Sequence, residues 1–140
     1  MNVIVRISVW TICALLLLAA LTATADTSGN TTSRVSVSTN GTQGNGASTS
    51  LSISADGRYV AFSSSASNLV PNDTNGMSDV FVHDRLTGNT SRVSVNSTGV
   101  QGDVAAGYGS ALNPSISADG RYVSFDSGST NLVNGDTNGR

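Results

Sequence analysis

The segment S-I-S-A-D-G-R-Y-V at Ser52–Val60 returns at Ser115–Val123, 63 residues on, and the likeness continues to Gly76 in the first copy and Gly139 in the second. A second echo, T-S-R-V-S-V, stands at Thr32–Val37 and again at Thr90–Val95, 58 residues apart. The spacings differ because extra residues lie within Gly99–Asn113. Self-similarity at a fixed long period is the mark of stacked supersecondary units, none of which buries its apolar face without a neighbour. Function must then be read from the array rather than from one motif.

The N-terminus differs from the rest. A single Arg6 precedes an apolar run from Ile7 to Leu21, and Ala23-Thr24-Ala25 comes just before Asp26. This pattern predicts a secretory signal over residues 1–25, cleaved after its small-residue ending, and no stable membrane anchor thereafter. Cys13, the only cysteine, falls inside that segment, so the mature chain has no disulfide and no Cys-ligated zinc.

From Asp26 onward the full charges are Asp and Arg alone, with no Lys or Glu, and the formal net charge of the chain is -2. A mildly acidic chain lacks the basic footprint needed to displace counterions from phosphates, which argues against a nucleic-acid partner. Missing Lys and Glu, with many β-branched and turn residues, predict an all-β chain. Asn-x-Ser/Thr triplets at Asn30, Asn40, Asn72, Asn89 and Asn96 are what chance gives in so Ser/Thr-rich a sequence.

Leu51–Ser54 alternates apolar and polar residues, Asp56-Gly57 suits a tight two-residue hairpin, and Tyr59–Phe62 reads as the partner strand. The second copy repeats this at Ile116, Asp119-Gly120 and Tyr122–Phe125. Asp79–Asp84 forms a third strand, turned by Leu86–Asn89 into a fourth at Ser91–Val95. Tyr59–Phe62 is apolar on both faces, as an inner strand is, whereas Ser91–Val95 alternates like an outer one. The expected unit is a four-stranded antiparallel sheet.

These residues resemble the WD40-like β-propeller repeats of the TolB type, found in exported bacterial proteins. The likeness rests on S-A-D-G-R-Y-V-[AS]-F, on N-L-V followed by D-T-N-G, and on D-V-F-V-x-D-R-x-T-G-x-T-x-R-V-S-V, and it spans Thr32 to Arg140. It implies propeller blades and a binding or scaffolding role, without naming a ligand. The expected fold is thus an incomplete propeller with one full blade and parts of two. Residues 26–50 hold an outer strand at Ser33–Val37 and a Gly/Ser/Thr-rich loop, 51–95 the complete blade, 96–114 a loop, and 115–140 a second blade broken off after its hairpin, as in a fragment of a longer protein.

The most chemical-looking loop runs from Asn72 to Asp79, where Asp73, Asn75 and Asp79 offer oxygens around Gly76. Calcium takes six to eight such hard ligands in flexible geometry, so these three are the candidate metal ligands. The competing reading is a turn in which Asp and Asn bond their own backbone. The second copy keeps Asp136 and Asn138. His83, the sole histidine, is expected at the surface or rim, and Gly44-Asn45-Gly46 and Gly107-Tyr108-Gly109 read as flexible connectors. Arg34 and Arg92 recur in the outer strand, placed to pair with an Asp on a neighbouring strand or blade, or to keep that edge soluble. No Gly-x-Ser-x-Gly elbow, His-Glu-x-x-His or phosphate loop is present, so no catalytic residue is assigned.

The sequence therefore predicts an exported, non-catalytic propeller-repeat module, periplasmic or extracellular, with a protein or cell-envelope partner and a tendency to self-associate when it stands alone. The alternatives are the propeller part of an extracytoplasmic hydrolase whose catalytic residues lie outside this chain, and a calcium-dependent surface module.

Overall fold

The repeated Ser-x-Asp-Gly-Arg-Tyr sequence solves one local problem twice. Ser54 Oγ donates to Asp56 Oδ1 at 2.6 Å, Arg58 N donates to the same carboxylate oxygen, and Tyr59 N donates to Ser54 Oγ. Ser117, Asp119, Arg121 and Tyr122 make the same three bonds. The result is a four-residue loop and not the two-residue turn expected from Asp-Gly. Gly57 alone takes positive φ, at 71°, whereas a type I′ turn needs it at both central residues. The Ser hydroxyl and Asp carboxylate occupy the backbone groups that a tighter turn would have paired. The Ser54 hydroxyl, then the Arg58 amide, holds the Asp56 carboxyl below its usual range.

The computed structural model describes residues 32–103 and 112–137. The predicted signal at 1–25, Asn30, Gly107-Tyr108-Gly109 and Asn138 lie outside the described residues. What is described is all-β: β1 (Ser48–Ile53), β2 (Tyr59–Ser64), β3 (Asp79–Asp84), β4 (Thr90–Arg92), β5 (Ser115–Ile116) and β6 (Val123–Ser124). β1-β2-β3-β4 form an antiparallel four-stranded meander, and β5-β6 a separate two-stranded antiparallel sheet. Neither sheet closes on itself. The third strand falls where the sequence placed it. β1 starts earlier than expected because a bulge at Ser50, with φ of 47°, lets Ser48 and Thr49 rejoin β2 out of step with Leu51.

Strand register decides which residues meet. Val60, Phe62 and Phe81 share one face, and with Ala66 and Leu69 they form the core, closed by the half-buried Val35 and Val70. On the opposite face Ala61 and Val80 are fully buried. There β5 lies against β1 and β2, and Ile116 N donates to Ser52 Oγ. An inner strand covered on both sides is what the apolar run Tyr59–Phe62 predicted. Among the described residues, 33–37 pair with no strand and their one ladder contact is an isolated bridge, Val37 to Gln43, where an outer strand was expected; Val35 packs on the core.

Gly120 provides a controlled comparison with Gly57. Both sit at positive φ, but a methyl on Gly57 meets nothing closer than 3.6 Å, whereas on Gly120 it falls 2.3 Å from the Tyr59 ring. Gly57→Ala should therefore cost about 1–2 kcal/mol from the left-handed backbone alone. Gly120→Ala must also push Tyr59 away, loosening the second hairpin where Ala55 N donates to Ala118 O. Faster hydrogen exchange at the Ala55 amide in Gly120→Ala, and not in Gly57→Ala, is the expected outcome.

Candidate functional site

The loop between β2 and β3 does bring Asp73, Asn75 and Asp79 together, but around a cation the chain already carries. Arg92, on β4, extends over β3 so that one nitrogen, Nη1, lies 3.2 Å from Asp73 Oδ1 and 3.1 Å from Asp79 Oδ2. Its Nη2 donates to Asn72 O. Asp79 also accepts a 2.5 Å bond from the Ser94 hydroxyl, which in turn accepts Val80 N. Both carboxylate side chains are almost fully enclosed, at 3% and 2% exposure, and Arg92 is at 10%. Burial, then the neighbouring Asp79 charge, pushes the Asp73 carboxyl above its usual range, against the pull of Arg92. Arg92 Nε has no hydrogen-bond partner among the described residues.

The donor set does not converge as a calcium loop would. Asn75 turns its oxygen to its own turn, accepting Met77 N, and its amide nitrogen donates to Asp79 Oδ2 and Gly102 O. Two acceptors around that nitrogen fix the amide this way round. Asp73 and Asp79 share a guanidinium in the place a divalent ion would need. Among the described residues no group of three His, Cys, Asp or Glu is arranged to hold a metal. Adding millimolar calcium to chelated protein should leave the melting temperature unmoved; a rise of several degrees would show that the loop releases Arg92 to bind it.

His83 is not at the rim. It is buried at 6% exposure, and its Nδ1 lies 2.9 Å from Thr90 Oγ1. That hydroxyl already donates its proton to Val37 O at 2.5 Å, so His83 Nδ1 must carry the hydrogen. Burial holds the imidazole below its ordinary value of 6.5. Through Thr90, whose hydroxyl donates to Val37 O and whose amide donates to Thr39 Oγ1, the ring ties β3 and β4 to residues 37–39. The sign of its linkage follows. The unfolded chain takes up a proton near pH 6.5 while the fold stays neutral, so stability is full above that pH and falls as pH drops through it. The melting temperature should decline in that window and His83→Gln should flatten the slope. Asp73, raised, contributes the opposite slope in acid, which His83→Gln leaves in place.

A recurring clasp went unread in the sequence. Asn45 accepts Ser67 N and donates to Ser67 Oγ, Asn45 N donates to Asn68 Oδ1, and Asn68 Nδ2 donates to Gln43 O. In the next repeat Asp103 accepts Thr130 N and Thr130 Oγ1, Asp103 N donates to Asn131 Oδ1, and Asn131 Nδ2 donates to Gln101 O. Bridges Val37 to Gln43 and Val95 to Gln101 lead into the two clasps. Gly44-Asn45-Gly46 is therefore not a loose connector: a methyl on Gly46 falls 2.6 Å from the backbone of Ser65 and Ala66. The signal was Gln43-Gly44-Asn45 against Gln101-Gly102-Asp103, at the spacing of the T-S-R-V-S-V echo.

Beside the first clasp an open groove of about 430 Å³ is edged by Ser38, Asn40, Thr42 and Asn68 over Leu69 and Pro71. Its described lining presents hydroxyls and amides, which can hydrogen-bond a neutral ligand. At the sheet edge Arg58 forks Asp84, Nε to Oδ1 at 2.9 Å and Nη2 to Oδ2 at 2.7 Å, and stacks over the Tyr59 ring. That fork holds the Asp84 carboxyl well below the usual carboxylate range. No protein family, curated protein or solved structure matches the chain.

Proposed function

We propose that the chain is an exported, non-catalytic repeat module that binds or scaffolds outside the cytoplasm, built from β-propeller-type blades of which β1–β4 is a complete one and β5–β6 the inner half of the next. The observation that carries this reading is the clasp made twice, Gln43/Asn45 to Ser67/Asn68 and Gln101/Asp103 to Thr130/Asn131. The same bonds recur at the repeat spacing, each closing one unit on itself, so the chain builds one supersecondary unit twice, as a repeat array does. The charged groups best placed for chemistry are engaged in holding strands: Asp73 and Asp79 on Arg92, Asp84 on Arg58.

Exposed Leu51, Ile53, Tyr122 and Val133 are the surfaces that neighbouring blades would cover. Expression of the full chain with a bacterial export system, followed by fractionation, N-terminal sequencing and light scattering after size exclusion, tests the reading. The expected product begins at Asp26, leaves the cytoplasm and self-associates. An unprocessed chain kept in the cytoplasm overturns export, and a cooperative, stable monomer overturns the incomplete-array reading.

A further inference from the structure

The turn that leads into each clasp is built from different side chains in the two repeats. In the second, Asn96 Oδ1 accepts Thr98 N and Val100 N, and its amide nitrogen reaches across to Asn131 O at 3.5 Å. In the first, Ser38 stands where Asn96 does, directly after the T-S-R-V-S-V echo. Its hydroxyl accepts Thr42 N and donates to Asn40 Oδ1, and it has no nitrogen with which to reach across. The groove of about 430 Å³ between this turn and residues 69–71 is left unspanned. The same exchange changes the chemistry at the groove's lip, where Asn40 replaces Thr98 and Thr42 replaces Val100. Asn40 Oδ1 is held by Ser38 Oγ and Thr42 N, which fixes the amide and leaves its Nδ2 for another acceptor. That nitrogen and the Thr42 hydroxyl have no partner among the described residues. The backbone bonds Ser38 N to Thr42 O and Gly41 N to Ser38 O hold both side chains on one closed turn.

We propose that this groove is a binding site for an N-acetylated sugar, whose acetamido carbonyl accepts from Asn40 Nδ2, whose N–H donates to Thr42 Oγ1 and whose methyl rests on Leu69, Val70 and Pro71. An acetamido group joins one acceptor, one donor and an apolar end in a small neutral unit. The groove offers a donor, an acceptor and an apolar floor, and its described lining holds no charged side chain. A sugar carrying hydroxyls alone leaves that floor uncovered, and a charged ligand finds no counter-charge in the described lining. The volume falls within the range of about 300–1,000 Å³ usual for small-molecule sites. Asn40 and Thr42 supply few but fixed polar groups over an apolar base, which is how such sites set orientation.

The inference names a ligand class for the proposed binding module and rests on that reading only in taking the chain to bind rather than to act. Saturation-transfer difference NMR on the full chain tests it, with N,N′-diacetylchitobiose as the probe. Cellobiose, of the same linkage without the acetamido groups, is the comparison. Because the signal is read on the free sugar, self-association of the chain does not obscure it. The strongest transfer is expected at the acetamido methyls, with no comparable transfer to cellobiose. Asn40→Asp keeps the oxygen that orders the turn and removes the donor, and should weaken binding about tenfold or more. Thr42→Val, which installs the second repeat's residue, should also weaken it. Both positions are exposed, so melting temperatures should match that of the parent chain. Absence of transfer at millimolar chitobiose overturns the proposal. So do equal transfer to cellobiose, binding indifferent to both substitutions, and a preference for N-acetylglycine amide, which would assign the groove to a peptide. Export and processing are read separately, so failure of the functional reading leaves the sugar result interpretable.

Discussion

Arg92→Ala should cost about 3–5 kcal/mol of folding free energy, the range seen when one partner of a buried ion pair is removed. The reason lies in what is left behind. Asp73 and Asp79 are nearly enclosed and both look to the same guanidinium nitrogen, so the truncation strands two carboxylates without a counter-charge. Single domains hold about 5–15 kcal/mol in total, and a loss of this size removes much of it. Urea denaturation followed by circular dichroism measures the cost. The variant should also carry a signature that simple loss of packing does not give. With Arg92 gone, its pull on Asp73 is lost and burial beside the Asp79 charge raises the Asp73 carboxyl further, so the fold takes up a proton at a pH where the unfolded chain does not, and stability should recover as pH falls toward the ordinary Asp range. Arg92→Lys should rescue only in part, since one ammonium does not reproduce a fork that also donates to Asn72 O. A loss under about 1 kcal/mol, with no acid recovery, would refute this account.

Phe81→Ala is expected to cost a comparable amount, about 3–5 kcal/mol, by a different route. Phe81 is fully buried, stacked on Phe62 with ring centroids 5.8 Å apart, and packed with Val60, Ala66 and Leu69. Removing its ring leaves a cavity between a sheet and the clasped loop, neither of which can close in. Phe125 is the internal control. It occupies the place of Phe62 one repeat later but is half-buried, with no third strand beside it among the described residues, and Phe125→Ala should cost less than half as much. Thermal melts of the two variants, with no change expected in the cooperativity of the unfolding of β1–β4, compare them directly. Equal losses would mean that β5–β6 is as well covered as the first sheet.

How much of this was legible in the sequence depends on the range of the interaction. Alternation and doubly apolar character identified β2, β3 and the second hairpin, because face and burial are written at period two in a strand. The turn was located and its type missed, since Ser54 and Asp56 redirect the backbone bonds through their side chains and only Gly57 takes positive φ. His83 reads as a rim residue because it is tied only through Thr90 to Val37 and Thr39, which lie far off in sequence. The loop reads in sequence as three candidate calcium ligands, Asp73, Asn75 and Asp79, or as a turn; that Arg92 stands between its two carboxylates depends on the register of β3 against β4, which places the guanidinium over Asp79. Asn45 and Asn68 gave no local signal of partnership, and only comparison of the two repeats at both spacings would have joined them.

The clasp also separates length from alignment. Asn45 and Asp103 hold their loops with matching bonds although the stretch to the following hairpin is longer by five residues in the second repeat, between Asp103 and Ser115 as against Asn45 and Ser52. Both clasps and both Ser-Asp hairpin loops keep their bonds across that difference in length, so these two anchors set the frame of the unit while the number of residues between them differs from one repeat to the next.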